Sequence, residues 1–480
     1  MQGAELGDAR LESRLVEIAE ALAAKPAESL PKAMEDEAAL EATYRFLGNK
    51  RVKPAEVLAP HVRQTVARCR ELKRALALMD TTEVRYGGDR EELGYLSNEK
   101  GRGVMAHVCL AADPEAREPQ GVLHCETWAR KGPKKKRKNA WGAADSEALR
   151  WERGAAAVHE LLPEAICVGD READMFHLVT AMRARRQDFI IRAGQNRLTT
   201  EGPLWDALDE AELVTTRELA LPTRPPRKRK SERKRFPPRS EHVATLELRA
   251  RRVELRSPAS NRNDYTRRHA TTTVVNLVHV IERDPPGGDE PVEWILLTSL
   301  PIKTKKDVDF IVDAYRARWV IEEFFKALKS GCALEKRQLE SVPSVANLIA
   351  VSLPIAWLLL RLRHLSRDAP DRPAGAVLSP LMLKCLRILL VERKRKPLPA
   401  RPTCRELTWG IAGLGGHITN NGEPGLIVLG RGLADLLAAT AVAAALSANV
   451  SETATPVQFT EQGDRVTCHA SLVNQRSFSS

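Results

Sequence analysis

An α/β fold is predicted by three observations. Apolar runs of strand length, ALALMD, GVMAHVCLAA, GVLHCETWA, AICVGD and FIIRAG, are grouped between residues 75 and 194. Apolar residues recur at helical spacing near both ends, in RLESRLVEIAEAL and in RGLADLLAATAVAAALSA. With 480 residues and 43% apolar content the chain can bury a large core and should hold more than one domain.

Taken in order, residues 1 to about 65 read as a small helical domain, with Pro26, Pro31 and Pro54 between or bounding its segments. Residues 70 to 365 carry the strand-like runs, and the stretch from Asp174 to Arg183 suits a helix. Between about 200 and 300, LELRARRVELRS and TTTVVNLVHVIERD show period-two alternation and read as a β-rich insertion. The most apolar run, VANLIAVSLPIAWLLL at 345 to 360, is short and interrupted by Asn347, Ser352 and Pro354, so a buried helix is expected and not a membrane span. Helical patterns return from 370 to 450, and from Ser451 to Ser480 rising Ser, Thr, Gln and Asn content predicts a disordered tail.

Charge and cysteine content narrow the setting. Lys and Arg number 75 against 63 Asp and Glu, giving a formal charge of +12 and a pI near 9.4, the direction expected of a protein that neutralises nucleic-acid phosphates. Two dense basic runs, KGPKKKRK at 131 to 138 and RPPRKRKSERKRFPPR at 224 to 239, lack apolar periodicity and are expected to be exposed loops or arms. The eight cysteines form no CxxC pair and no zinc spacing, which suits free thiols in a reducing compartment.

The segment YRARWVIEEFFKALK places Tyr315, Arg318, Glu322 and Lys329 at offsets that fall within an arc of about 60° on a continuous helix. One carboxylate then shares a narrow face with two cations and a phenol, while Glu323 points about 100° away. That set suits a phosphate handled beside a metal ion, although solvated charges on a surface helix have the same composition. Asp80 in RALALMDTTEVRY and Asp170 in AICVGDREADMFHL each follow an apolar run where a strand should end, a place where α/β sheets bind ligands but also where aspartates merely form turns.

These three blocks, MDTTEVRY, VGDREADMF and the Tyr315, Arg318, Glu322, Lys329 helix, closely resemble the signatures of the insertion-sequence-4 family of DDE transposases, the family of the transposon-five enzyme. Similarity extends from LGDARLESRL near the start, through TYRFLGN and EWILLTSLPI, to LTWGIAGLGG. The resemblance implies a ribonuclease H-like catalytic core with a β-rich insertion, flanked by an N-terminal helical DNA-binding domain for transposon ends and a C-terminal helical region that pairs two protomers. It makes Asp80, Asp170 and Glu322 the catalytic triad holding two divalent ions, Mg²⁺ with Mn²⁺ as a substitute. Tyr315, Arg318, Lys329 and Arg192 would bind end phosphates, Trp294 would stack with an extruded base, and Arg10 and Arg14, one helical turn apart, are candidate DNA contacts.

By the same resemblance the chain is expected to perform cut-and-paste transposition through nicking, hairpin formation, hairpin opening and strand transfer. Its partners would be double-stranded DNA, both terminal inverted repeats and target, and a second copy of itself in a bacterial cytoplasm at the nucleoid. The chain starts almost at LGDARL, Leu11 stands where a basic residue would help Arg10, and KGPKKKRK is more basic than expected there. A catalytically silent end-binding relative is the competing reading, and the intact acids argue against it.

Overall fold

The computed structural model describes residues 1–88, 90–97, 101–132, 146–226, 237–258 and 271–453. Most of both basic runs, and the expected tail beyond Thr453, lie outside these residues. The chain opens with helices α1 (Ala9–Ala24), α2 (Leu30–Ala33), α3 (Glu37–Leu47) and α4 (Pro54–Arg70). Asp8 caps α1 by accepting from the Arg10 N–H at 3.0 Å, and Leu15, Ile18 and Leu22 form its buried stripe.

A single mixed sheet follows. Its strands are β1 (Leu76–Tyr86), β2 (Gly94–Tyr95), β3 (Arg102–Ala112), β4 (Pro119–Trp128), β5 (Ile166–Gly169), β6 (Phe189–Arg192), β7 (Glu212–Leu221), β8 (His242–Arg256), β9 (Thr272–Arg283) and β10 (Glu293–Thr298). The spatial order is β2-β3-β1-β5-β6-β10-β9-β8-β7, with β4 paired to β3. β3 and β4 are antiparallel, β1 is antiparallel to β3, and β5 and β6 run parallel to β1, an arrangement of the ribonuclease H-like kind. Helices α5 (Ala148–Leu161) and α6 (Phe176–Ala184) connect this part, and α7 (Asp206–Asp209) precedes β7. The β-rich insertion prolongs the same sheet: β10 pairs antiparallel with β6, and β9, β8 and β7 continue outward.

The remaining helices are α8 (Lys305–Ala317), α9 (Trp319–Lys326), α10 (Val342–Asp368), α11 (Pro380–Glu392), α12 (Cys404–Leu414) and α13 (Leu426–Thr453). α10 contains the run at 345 to 360 and is buried along most of its length, with α3, α4, β4, α12 and α13 packed around it. The N-terminal helices share this core with the C-terminal ones, since α1 packs on α13. Every described cysteine is a free thiol.

Strand parity decides which face carries chemistry. Leu76, Leu78 and Val84 of β1 enter the core shared with α8, α9 and α10, whereas Ala77 and Met79 enter the one shared with α5 and α6. Counting by two places Asp80 on the face toward α8 and α9. The same count from Val168, Ile190 and Leu296 puts Asp170, Arg192 and Trp294 on that face.

Two expectations are corrected. β1 does not end at Asp80 but continues to Tyr86, because Thr82, Val84 and Tyr86 keep the alternation buried and pair with β3 throughout. The helix from Tyr315 to Lys329 is not uniform. At Arg318 it tightens, with Arg318 N–H donating to the Tyr315 carbonyl at 3.1 Å and Ile321 N–H to the Arg318 carbonyl at 3.1 Å. Across Ala327–Gly331 it widens into a π turn, closed by Cys332 N–H donating to the Ala327 carbonyl at 2.9 Å.

Candidate active site

Asp80, Asp170 and Glu322, far apart in sequence, line one cleft of about 430 Å³ together with Glu172 and Lys329. Asp80 comes from mid-β1, Asp170 from the residue after β5, and Glu322 from the first turn of α9. Asp170 caps the short 3-10 turn Arg171–Ala173, accepting from the Glu172 N–H at 2.8 Å. That turn brings Glu172 to the cleft wall.

Arg318 binds the acids together. Its Nη1 lies 3.1 Å from Asp80 Oδ2 and 3.6 Å from Glu322 Oε1. The other Asp80 oxygen accepts from the Thr81 N–H at 2.7 Å. The Asp80 side chain is only 12% exposed. Burial first, then the neighbouring Asp170 charge, push its carboxyl up to about 7, against the opposing pull of Arg318. Burial disfavours the charge on Arg318, yet Tyr315, Asp80, Asp170 and Glu322 hold its pKa above the usual value. Lys329 is shifted down by burial, with Glu335, Glu83 and Glu322 acting the other way.

The donor set is all hard oxygen, which suits Mg²⁺ or Mn²⁺. Burial and, after it, the Asp170 charge disfavour the ionised Asp80, a cost that a nearby cation would relieve, and the Arg318 guanidinium stands beside it in that place. Among the described residues no three such groups stand close enough to share one ion. The carboxylates fit divalent ions by type and charge, with Arg318 and Glu322 side chains required to shift on loading.

The other expected site residues divide into two groups. Tyr315 is buried on α8 and packs its ring 5.7 Å from that of Trp294, beside Arg318 but not on the cleft wall. Trp294 is half-buried in β10. Arg192 ends β6 and donates to the Glu293 carbonyl at 2.9 Å. Arg10 and Arg14 lie on α1 and pair with Asp8 at 3.0 Å and Glu17 at 2.6 Å, away from the cleft lining. Glu323 faces elsewhere, 3.2 Å from Arg367.

Sequence reasoning missed Glu172. It was visible only as an acid two residues beyond Asp170, and needed the 3-10 turn to acquire meaning.

Two family models match the chain. Residues 1–52 match the transposase DNA-binding family and residues 72–358 the transposase DDE domain family. The chain belongs to the DDE transposases and acts on DNA as an enzyme of that family.

Proposed function

We propose that this DDE transposase is of the insertion-sequence-4 type, like the transposon-five enzyme, and excises and inserts its element by cut-and-paste transposition. The observation that carries the reading is the meeting of Asp80, Asp170 and Glu322 in one cleft with Arg318 and Lys329. Two divalent cations, Mg²⁺ or Mn²⁺, would when bound there activate water and stabilise the attacking and leaving oxygens at phosphorus.

In this reading Asp80, Asp170 and Glu322 hold the cations. Arg318 leaves Asp80 and takes a non-bridging phosphate oxygen of the transposon end, with Lys329 opposite and Tyr315 and Arg192 steadying the flanking backbone. Trp294 receives a base extruded next to the cleavage site. Nicking frees a 3′-hydroxyl, which attacks the opposite strand to close a hairpin. Water reopens it, and the regenerated hydroxyl joins target DNA. Each step is an in-line displacement at phosphorus, so one cleft serves all four. The helices of residues 1–65, with Arg10 and Arg14, recognise the terminal repeats, residues 70–365 catalyse, and the helical region 370–450 pairs two protomers in the end complex. DNA as substrate points to a cytoplasmic, nucleoid-associated place of action.

The test is a gel assay of the purified protein on its own flanking DNA with Mg²⁺, beside Asp170→Ala. Metal-dependent excision through a hairpin, lost in the variant, is expected. Binding without cleavage in either Mg²⁺ or Mn²⁺ would overturn the assignment in favour of a silent end-binding protein.

A further inference from the structure

A second cavity, of about 630 Å³, lies in the C-terminal helical region between the end of α11, the segment after it, and α12. Lys394 closes α11 in a left-handed conformation with φ of 51°, turning the chain so that Arg395 N–H donates back to the Leu390 carbonyl at 2.8 Å. Arg387 fixes the next turn by donating to the carbonyls of Leu398, Pro399 and Ala400 at 3.1, 2.7 and 2.9 Å. The cavity is therefore held open by hydrogen-bonded backbone.

Its lining carries two aromatic side chains. Trp409 and His417 meet edge to face with ring centroids 5.4 Å apart. The Trp409 indole N–H and His417 Nε2 are both buried, and neither has a hydrogen-bond partner among the described residues. Both nitrogens are shut off from the cavity, to which the two side chains offer ring surface. Gly413 lines the same space, and a Cβ built there meets nothing within 4 Å.

The rim is cationic. Lys394, Arg395 and Lys396 line it, are exposed, and have no ion pair among the described residues. Arg405 stands 5.9 Å over the Trp409 ring and pairs outward with Glu423 at 2.6 Å. The acid in the lining, Glu406, spends its carboxylate on the Thr403 N–H at 2.9 Å, capping α12. None of this belongs to the catalytic cleft.

We propose that this cavity is a second nucleic-acid site, taking one nucleotide of a single-stranded or frayed DNA segment. The inference rests on DNA as the substrate. A base is flat and stacks on an aromatic face, which Trp409 and His417 supply in the lining. Its phosphates face the Lys394 to Lys396 rim. An acidic peptide would match the rim but offer no flat ring to the aromatic slot.

The experiment uses the full chain and a short fluorescent single-stranded oligodeoxythymidine carrying one 5-iodouracil. Binding is followed by anisotropy with EDTA present, and long-wavelength irradiation followed by peptide mapping locates the crosslink. The crosslink is expected in the segment from Leu390 to Thr419. Trp409→Leu should weaken binding at least tenfold, and Trp409→Phe should lose only a few fold because a ring remains. Gly413→Leu fills space that is empty, so it should block binding at unchanged melting temperature. Replacing Lys394, Arg395 and Lys396 by glutamine should lower the logarithmic salt slope by about two. Crosslinks elsewhere, Gly413→Leu binding as wild type, or a poly-glutamate peptide displacing the oligonucleotide at equal charge would each overturn the proposal. Excision by Gly413→Leu on duplex ends, and its loss in Asp170→Ala, report separately on the transposase reading.

Discussion

Asp80→Asn should stabilise the metal-free protein at alkaline pH and leave it nearly unchanged at acid pH. The unfolded chain releases this proton near the ordinary 3.8, the folded chain only at about 7. The folded state therefore holds an extra proton across that window, and stability falls as pH rises through it. At about 1.4 kcal/mol per pH unit, the full displacement corresponds to about 4 kcal/mol. Local relaxation in a cleft open to water brings this to about 2 kcal/mol. Asparagine removes the buried charge, and its single amide oxygen accepts from Arg318, which retains Glu322 at 3.6 Å, at the expense of the Thr81 N–H bond, a loss contained in the lower figure. With unfolding entropy of about 2 cal/mol/K per residue, the 480 residues give about 1 kcal/mol/K, hence a rise in melting temperature of about 2 °C. The assay is differential scanning calorimetry with EDTA at about pH 4 and 8.5, at the two ends of that window. A variant less stable than wild type at the higher pH would refute the reasoning, because it would make the ionised Asp80 a net stabiliser through its pairing with Arg318.

Three further outcomes follow from the geometry. Glu322→Gln should abolish cleavage while end binding stays within several fold by gel shift, whereas Glu323→Gln, which loses only the contact with Arg367 at 3.2 Å, should still cleave. Trp294→Ala should nick DNA but accumulate little hairpin, and product analysis matching wild type would remove its assigned role in base capture. Arg337 is fully buried and donates to the Pro26 carbonyl at 2.9 Å, the Glu28 carbonyl at 3.3 Å and Ser352 Oγ at 3.4 Å. Arg337→Ala leaves those acceptors unmet and should cost about 3–5 kcal/mol, read as an earlier midpoint in urea.

Local sequence carried most of the core strands because both faces of these strands are buried, which leaves continuous apolar runs of strand length. It carried the acids by type but not their setting. Asp80 looked like a strand terminus because an ionisable residue after ALALM reads as the end of burial. The chain instead buries it, through the ladder that Thr82, Val84 and Tyr86 form with β3. The cost of that burial is visible in its raised pKa and in the Arg318 contact, neither of which a one-dimensional pattern records.

The helix from Tyr315 to Lys329 makes the same point from the other side. A uniform 100° step per residue brings four side chains onto one arc, yet the observed helix tightens at Arg318 and widens at Ala327–Gly331. Tyr315 consequently packs on Trp294, while Glu322 and Lys329 stay at the cleft. Parity along the sheet is the stronger constraint. Residues 80, 170, 192 and 294 all fall on the face that α8 and α9 cover, because strand side chains alternate strictly and a shift of one residue would exchange this core for the one packed on α5 and α6. An irregular helix lying across a fixed sheet face can adjust its own side chains without moving the acids that the strands present. The cleft is therefore assembled from the sheet, within β1 for Asp80 and just past β5 for Asp170, and from an irregular helix for Glu322, Arg318 and Lys329, the side on which a bound phosphate would require movement.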